Sequence, residues 1–420
     1  MINIAEEKMA ELLSPAGNPE KLRAAIRFGA DAVYFAGKSF GMRSAADNFT
    51  VEEIYEASSY VHERGKKLYL TVNTLPRPDE YPMLERYLSQ IADAGIDGYI
   101  VADPGVMMCI NKIIKGAEIH MSTQAGVVSH ESCNFWYSLG VRRVVLAREM
   151  SFEDIKRIRE NIPADMEIEC FIHGSMCVSF SGRCLLSENL IGRDANRGMC
   201  AQPCRWNYKF YEISEEKRPE IRYPVEENEL GTFIMSSRDM CMIEHVPELM
   251  RSGISSFKIE GRMKSAYYTA VTTNAYRMAI DAYMRDPEGY KYDPRLMTEL
   301  EGVSHREYCT GYYFDRPGNE ANLTTLNGYI RDKAYLAVLK HYDKETGEAT
   351  FIQRNKCSRN DKVELLTPGM FGRGFTVERM WDTQGAELES APHPFMEFKI
   401  KLPFEGKEGD ILRAAGDTVQ

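Results

Sequence analysis

The residues best suited to chemistry in this chain are four cysteines on one short stretch, GSMCVSFSGRCLLSENLIGRDANRGMCAQPCRW. Six residues separate Cys177 from Cys184, fifteen separate Cys184 from Cys200, and three separate Cys200 from Cys204. Gly174, Ser175, Ser179, Ser181, Gly182 and Gly198 surround them. Residues this small let the backbone turn tightly and bring distant thiolates to one centre. Four converging thiolates suit a tetrahedral zinc or an iron–sulfur cluster. The spacing matches neither the paired CxxC of a zinc ribbon nor the run of a bacterial ferredoxin. Spacing alone therefore leaves both metals open, beside the plainer reading that two or three of these residues are buried thiols. Cys241, in SSRDMCMIEH, is an alternative to Cys204 as fourth ligand.

What must position these cysteines is a repeating strand–helix pattern over the first 265 residues. β-rich segments recur at Glu11–Ser14, Ala32–Phe35, Lys67–Val72, Gly98–Ala102, Glu118–Ser122, Arg143–Ala147, Glu167–Ile172, Thr232–Ser236 and Ser256–Glu260. Helical patterns lie between most of them. Asn18-Pro19 is a helix start, Thr50 with Glu53 is a capping box, and Ser151 with Asp154 opens a third helix. Gly29, Gly95, Gly140 and Gly253 stand where helices should stop before a strand. This repetition predicts an α/β protein, and eight such units close a TIM-barrel-like (β/α)8 domain. SPAGNPE after the first strand is not the glycine-rich dinucleotide turn of the competing open sheet. Nine candidate strands are one too many, so one should lie outside the barrel or in the insertion.

In such a barrel the chemistry sits at the C-terminal strand ends. Those ends carry His173, Glu260, Arg262 and Arg148. His173 is a candidate general acid/base, and Glu260 a second catalytic candidate. Arg148 and Arg262 could hold a carboxylate. For each, a rim hydrogen bond or salt bridge is the structural alternative. Residues 174–231 interrupt the pattern for longer than a βα loop requires and read as a functional insertion at the same rim. Within it, Arg193, Arg197, Arg205 and Lys209 alternate with Trp206, Tyr208, Phe210 and Tyr211. Basic and aromatic residues together can grip phosphate and stack a base; an amphipathic strand with one wet face would show the same alternation. EISEEKRPEIRYPVEENEL, charged and proline-containing, reads as an excursion. The expected organisation is a catalytic domain over 1–285, a linker over 286–330 and a small all-β barrel domain over 331–420.

Bulk properties narrow the function. The 420 residues carry a net charge of −10, which argues against non-specific coating of nucleic acid while allowing a local basic patch. No apolar run is long enough for a membrane span, and the acidic N-terminus lacks a signal-peptide layout. A cytoplasmic protein is expected, whose ten cysteines are reduced. His62-Glu63 and His130-Glu131 both fail the zincin HExxH pattern, and no GxSxG elbow is present.

The segments ECFIHGSMCVSFSGRCLLS, SPAGNPEKL, FGADAVYFAG, STQAGV, NRGMCAQPCRW, MSSRDMC and FKIEGRMKS resemble the peptidase U32, or collagenase-like, family over nearly the whole chain. The length and NRGMCAQPCRW are most similar to its tRNA hydroxylation branch. That resemblance implies a four-iron 4Fe-4S cluster, oxygen-independent conversion of wobble uridine to 5-hydroxyuridine, prephenate as co-substrate and the tRNA anticodon loop as partner. It carries Cys177, Cys184 and Cys200 over as ligands and leaves the fourth to Cys204 or Cys241, with Cys204 favoured. Arg205 and Trp206, with Arg354, Lys356 and Arg359 of the β-domain, are the expected RNA contacts. Arg148 or Arg262 is the expected prephenate contact. The alternatives are the family's namesake proteolysis, or a non-catalytic scaffold paired with a shorter homologous subunit; a homo-oligomer is also compatible.

Overall fold

Eight of the nine expected strands pair side by side and close into a ring. The computed structural model describes residues 10–42, 47–177, 179–180, 182–206, 213–215, 218–223, 237–314 and 333–416. β1 (Glu11–Pro15), β2 (Ala32–Ala36), β3 (Lys67–Val72), β4 (Gly98–Val101), β5 (Ile119–Met121), β6 (Arg143–Val145) and β7 (Glu167–Ser175) follow one another in parallel. After β7 come a hairpin of β8 (Ile213–Glu215) and β9 (Arg218–Tyr223), then β10 (Asp239–Cys241) and β11 (Ser256–Ile259). β11 pairs in parallel with both β7 and β1, and this closes the barrel. The strands are buried almost end to end, as parallel strands covered on both faces must be.

The ninth expected strand, Thr232–Ser236, lies outside the described residues. β10 follows it and stands outside the ring, antiparallel to the end of β7 and opposite Ser175, Gly174 and His173. β12 (Tyr308–Cys309) adds to β10 in parallel. The C-terminal end of β7 is thus extended into a small sheet beyond the barrel. Part of the charged excursion is the β8–β9 hairpin.

Local rules explain the helices. The helix Val51–His62 starts at the Thr50–Glu53 capping box, and the helix Phe152–Glu160 at an equivalent box of Ser151 and Asp154. Asn18 Oδ1 accepts from the Lys21 amide at the start of α1 (Pro19–Arg27). Gly29, Gly95, Gly140 and Gly253 all have positive φ, as helix-stopping positions require. No described helix is long and apolar enough to cross a membrane.

Two compact units make up the chain: Met1–Leu22, Ala30–Lys264 and His305–Tyr329 in the first, and Arg23–Gly29, Ser265–Ser304 and Ile330–Gln420 in the second. The helix Ala266–Arg285, expected with the barrel domain, falls in the second unit, and the expected linker contains the helix Arg295–Glu301 and β12. The second unit is built on a seven-stranded antiparallel sheet between Tyr335 and Ala414, around a core that includes Leu339, Phe351, Val363, Phe398 and Leu412. Its Arg413 is fully buried against Glu364, Glu299 and the Tyr267 hydroxyl, tying sheet to helices.

Candidate active site

A cleft of about 160 Å³ opens at the C-terminal rim of the barrel. It gathers three of the four cysteines, Cys177, Cys184 and Cys200, with Arg148, Glu260 and Arg262. These six residues come from the ends of β6 and β11 and from the segment after β7, which no periodicity ties together.

The cysteine segment is laid onto the rim by close backbone approaches. Gly174 has φ +107°, and a Cβ there would lie 2.5 Å from the Glu260 carbonyl oxygen, so only glycine lets the end of β7 lie this close to the backbone just after β11. Gly182 approaches Gln124 as closely: a Cβ would meet its Cα and carbonyl oxygen at 2.8 Å. Gln124 in turn accepts from Asn73 Nδ2 at 2.8 Å, and Asn73 Oδ1 accepts from the Met42 amide.

None of the ten cysteines, all of them described, forms a disulfide. Cys177 is exposed, while Cys184, Cys200 and Cys204 are half-buried. Cys204 lies in a short 3-10 turn, Pro203–Arg205, and does not line the cleft; nor does Cys241, which is buried on β10 opposite His173. Among the described residues no three Cys, His, Asp or Glu side chains come close enough together to hold one ion. The three thiols share a wall without converging. By donor type that wall fits a thiolate-held metal centre.

The cationic residues are held in distinct ways. Arg148 donates from Nη1 to the Ser175 carbonyl at 2.8 Å and stacks over Phe171 at 4.1 Å; its buried Nε has no hydrogen-bond partner among the described residues. Arg262 is buried and donates to the Met42 carbonyl and to Asn48 Oδ1.

Lys258, which the sequence reasoning missed, forms part of the cleft floor. Its Nζ is 2.6 Å from Glu169 Oε1 and lies over the Tyr34 ring at 4.4 Å. Burial pulls the Lys258 ammonium down, against the pull of Glu169. Burial would raise the Glu169 carboxyl, but Lys258 and then Arg143 outweigh it and hold it below the usual carboxylate range. A lysine in the middle of FKIE, on a strand buried on both faces, was the available signal.

His173 is a correction. It does not line the cleft. β7 runs three residues past its expected end at Ile172, so His173 sits within a sheet, buried, with Tyr308 at a ring distance of 5.5 Å. Burial drives its pKa down to about 3, so it is neutral near pH 7.

The expected RNA contacts fall in both units. Trp206 is 36% exposed, with its indole N–H donating to the Ala201 carbonyl at 3.0 Å. The Arg205 side chain, and Lys209, Tyr208, Phe210 and Tyr211, lie outside the described residues. Arg359 is paired with Glu389 and Arg354 lies over Phe395, while Lys356 is exposed.

The fold and the cleft define a (β/α)8-barrel protein whose thiols and cationic side chains meet at the rim where barrel enzymes bind substrate. The chain belongs to peptidase family U32: that family's model matches residues 17–323, and the model of the family's C-terminal domain matches 331–413. It is 39% identical over 406 residues to tRNA hydroxylation protein P1 of Bacillus subtilis, covering 97% of this chain and 95% of that one. It is 34% identical over 418 residues to tRNA hydroxylation protein P of Escherichia coli, covering 91% of each. A collagenase of Porphyromonas gingivalis is 32% identical over 408 residues, covering 94% of this chain and 95% of that one.

Proposed function

We propose that this protein hydroxylates tRNA, forming 5-hydroxyuridine at the wobble position without molecular oxygen and with prephenate as co-substrate. The observation that carries the reading is the meeting of Cys177, Cys184 and Cys200 with Arg148, Glu260 and Arg262 in one rim cleft. The names of the relatives supply the substrate class.

Cys177, Cys184 and Cys200 would hold a 4Fe-4S cluster, with Cys204 or Cys241 as fourth ligand; zinc is the alternative metal for the same thiols. Such a cluster supplies one-electron chemistry. With water as the hydroxyl source, replacing the C5 hydrogen of uridine by hydroxyl releases two electrons, which a co-reactant acceptor must take, one proton from the water and one proton from C5. Glu260 is the cleft's carboxylate for the C5 proton. Arg148 is better suited than Arg262 to a co-substrate carboxylate, because Arg262 is already bonded to a backbone carbonyl and an amide oxygen. Trp206, with Arg205, would meet the anticodon loop.

The test is deletion of the gene followed by nucleoside analysis of tRNA. Loss of 5-hydroxyuridine-derived nucleosides is expected; unchanged modification in a strain with no second homologue sinks the reading. Anaerobically purified protein should be brown, with about four iron and four sulfide per chain. The likeness to a collagenase supports proteolysis as a second reading, and cleavage of a collagen-like substrate by colourless, iron-free protein would establish it in place of the first.

A further inference from the structure

Two consecutive carbonyl groups precede Cys177, and an arginine takes part in holding each of them. Arg148, lining the cleft, donates to the Ser175 carbonyl at 2.8 Å. The Met176 carbonyl accepts from Ser237 Oγ at 2.6 Å and from Arg306 Nη2 at 3.5 Å. Arg306 lies outside the cleft lining and is only 2% exposed. Asp239 grips it: Oδ1 accepts from Nε at 3.0 Å and from Nη2 at 2.5 Å, and Oδ2 accepts from the Arg306 amide at 3.1 Å. Arg306 Nη1 also reaches Ser237 Oγ at 3.4 Å. Ser237 and Asp239 are as buried as the arginine. The hydroxyl of Ser237 is therefore a bridge, accepting from the guanidinium and donating to the carbonyl next to Cys177.

The surrounding sheet makes this a rigid mount. Asp239 and Met240 on β10 oppose Ser175 and Gly174 on β7, and the Asp239 amide donates to the Glu307 carbonyl at 2.9 Å. His305 stacks on Tyr308 at 4.5 Å beside it. Burial would raise the Asp239 carboxyl, but Arg306 and Lys264 outweigh it and hold it below the usual carboxylate range. A buried ion pair is a weak source of stability but a strong one of fixed geometry when every group is bonded. Here two of the bonds, from Ser237 Oγ and Arg306 Nη2, end on the carbonyl of the residue before a thiol that lines the cleft.

We propose that Arg306, held by Asp239 and acting through Ser237, is a positioning residue that fixes where the Cys177 thiol enters the cleft. The consequence for metal retention rests on the function proposed above; the geometry does not.

The test compares Ser237→Ala, which removes only the bridging hydroxyl, with Arg306→Lys, which keeps the charge but loses the fork. Site-resolved alkylation of the metal-free protein reads the rate at each cysteine. Cys177 should change by about three- to tenfold, the effect of one hydrogen bond, with Cys184 and Cys200 changing less. General loosening would move all three together. In anaerobically reconstituted protein, both variants should lose iron to a chelator about threefold faster or more, read from visible absorption. Wild-type rates at Cys177 in both variants, or equal changes at all three cysteines, overturn the proposal. If Arg306→Lys does not fold, Ser237→Ala decides alone. If wild-type protein takes up no iron, the metal reading fails while the alkylation result still decides the positioning role.

Discussion

The two ends of the barrel handle charge in opposite ways. At the N-terminal end, Arg143 is 2% exposed and spends its guanidinium on Glu11, Glu167 and Glu169 at 2.6–3.2 Å, with Tyr69 Oη at 3.4 Å. At the C-terminal rim, Arg148 has one bond to a backbone carbonyl and a buried Nε without a partner among the described residues. The same side chain is an internal strut at one end and a group with capacity to spare at the other. Charges saturated by carboxylates fix the geometry of a fold; a guanidinium braced through one backbone contact can turn to a ligand. Lys258 and Glu169 stand between the two, paired with each other yet forming part of the wall of the cleft or its supporting network.

Four experiments would break or sharpen that contrast. On the function proposed above, the largest effect is expected from Cys177→Ser, Cys184→Ser or Cys200→Ser: tRNA hydroxylation should fall by at least about a hundredfold, with loss of iron, since a hydroxyl replaces a thiolate ligand poorly at such a centre. Nucleoside analysis of complemented deletion strains and iron assay measure it. Arg143→Ala should cost about 3–5 kcal/mol in urea unfolding, because it takes the shared cation from the buried Glu169 and the half-buried Glu11 and Glu167. Its rim counterpart, Arg148→Ala, should lower hydroxylation at least about tenfold while stability changes by no more than about 1 kcal/mol. A large stability loss there would erase the distinction between strut and ligand-facing group.

The smallest effect concerns pH. His120 is fully buried among the interior charges, with its pKa lowered first by burial and then by Arg143, against the hydrogen bond to Glu118. The neutral ring donates from Nε2 to Glu118 at 2.7 Å. Below about pH 6.5 the unfolded chain binds a proton that the folded chain refuses, so stability falls as pH falls, by at most about 1.4 kcal/mol per unit for this group. Unfolding of wild type and His120→Asn at pH 7.5 and 5.5 should show a shallower slope in the variant. Equal slopes would mean that His120 is charged in the fold.

Much of the barrel was legible because its signals are local. The capping box at Thr50, the glycine stop at Gly140 and the apolar run of Lys67–Val72 each act within a few residues, and the chain obeys them. His173 was misplaced for the opposite reason. What prolongs β7 to Ser175 is pairing with β10, more than sixty residues away in sequence, and no short-range pattern announces a strand partner at that distance. Lys258 stands inside FKIEGRMKS, and only its burial on β11 marks it as a charge that must be compensated. The cysteines were legible as residue types, and their cleft became visible once the close approaches at Gly174 and Gly182 were known.

The ring closes late along the chain. β7 ends at Ser175 and β11 begins at Ser256, so the last barrel strand must return across an excursion several times longer than a βα crossover. Chain-closure entropy grows only logarithmically, by about 0.6 kcal/mol per doubling of loop length, so equilibrium scarcely registers the detour. Kinetics should register it more: pairing of such high sequence separation slows barrel formation and leaves β7 and β1 as open edges while β11 is still unplaced. A newly made chain would therefore carry its cysteine segment through a period in which the rim that orders it is unfinished, and loading of any metal centre becomes a step in maturation.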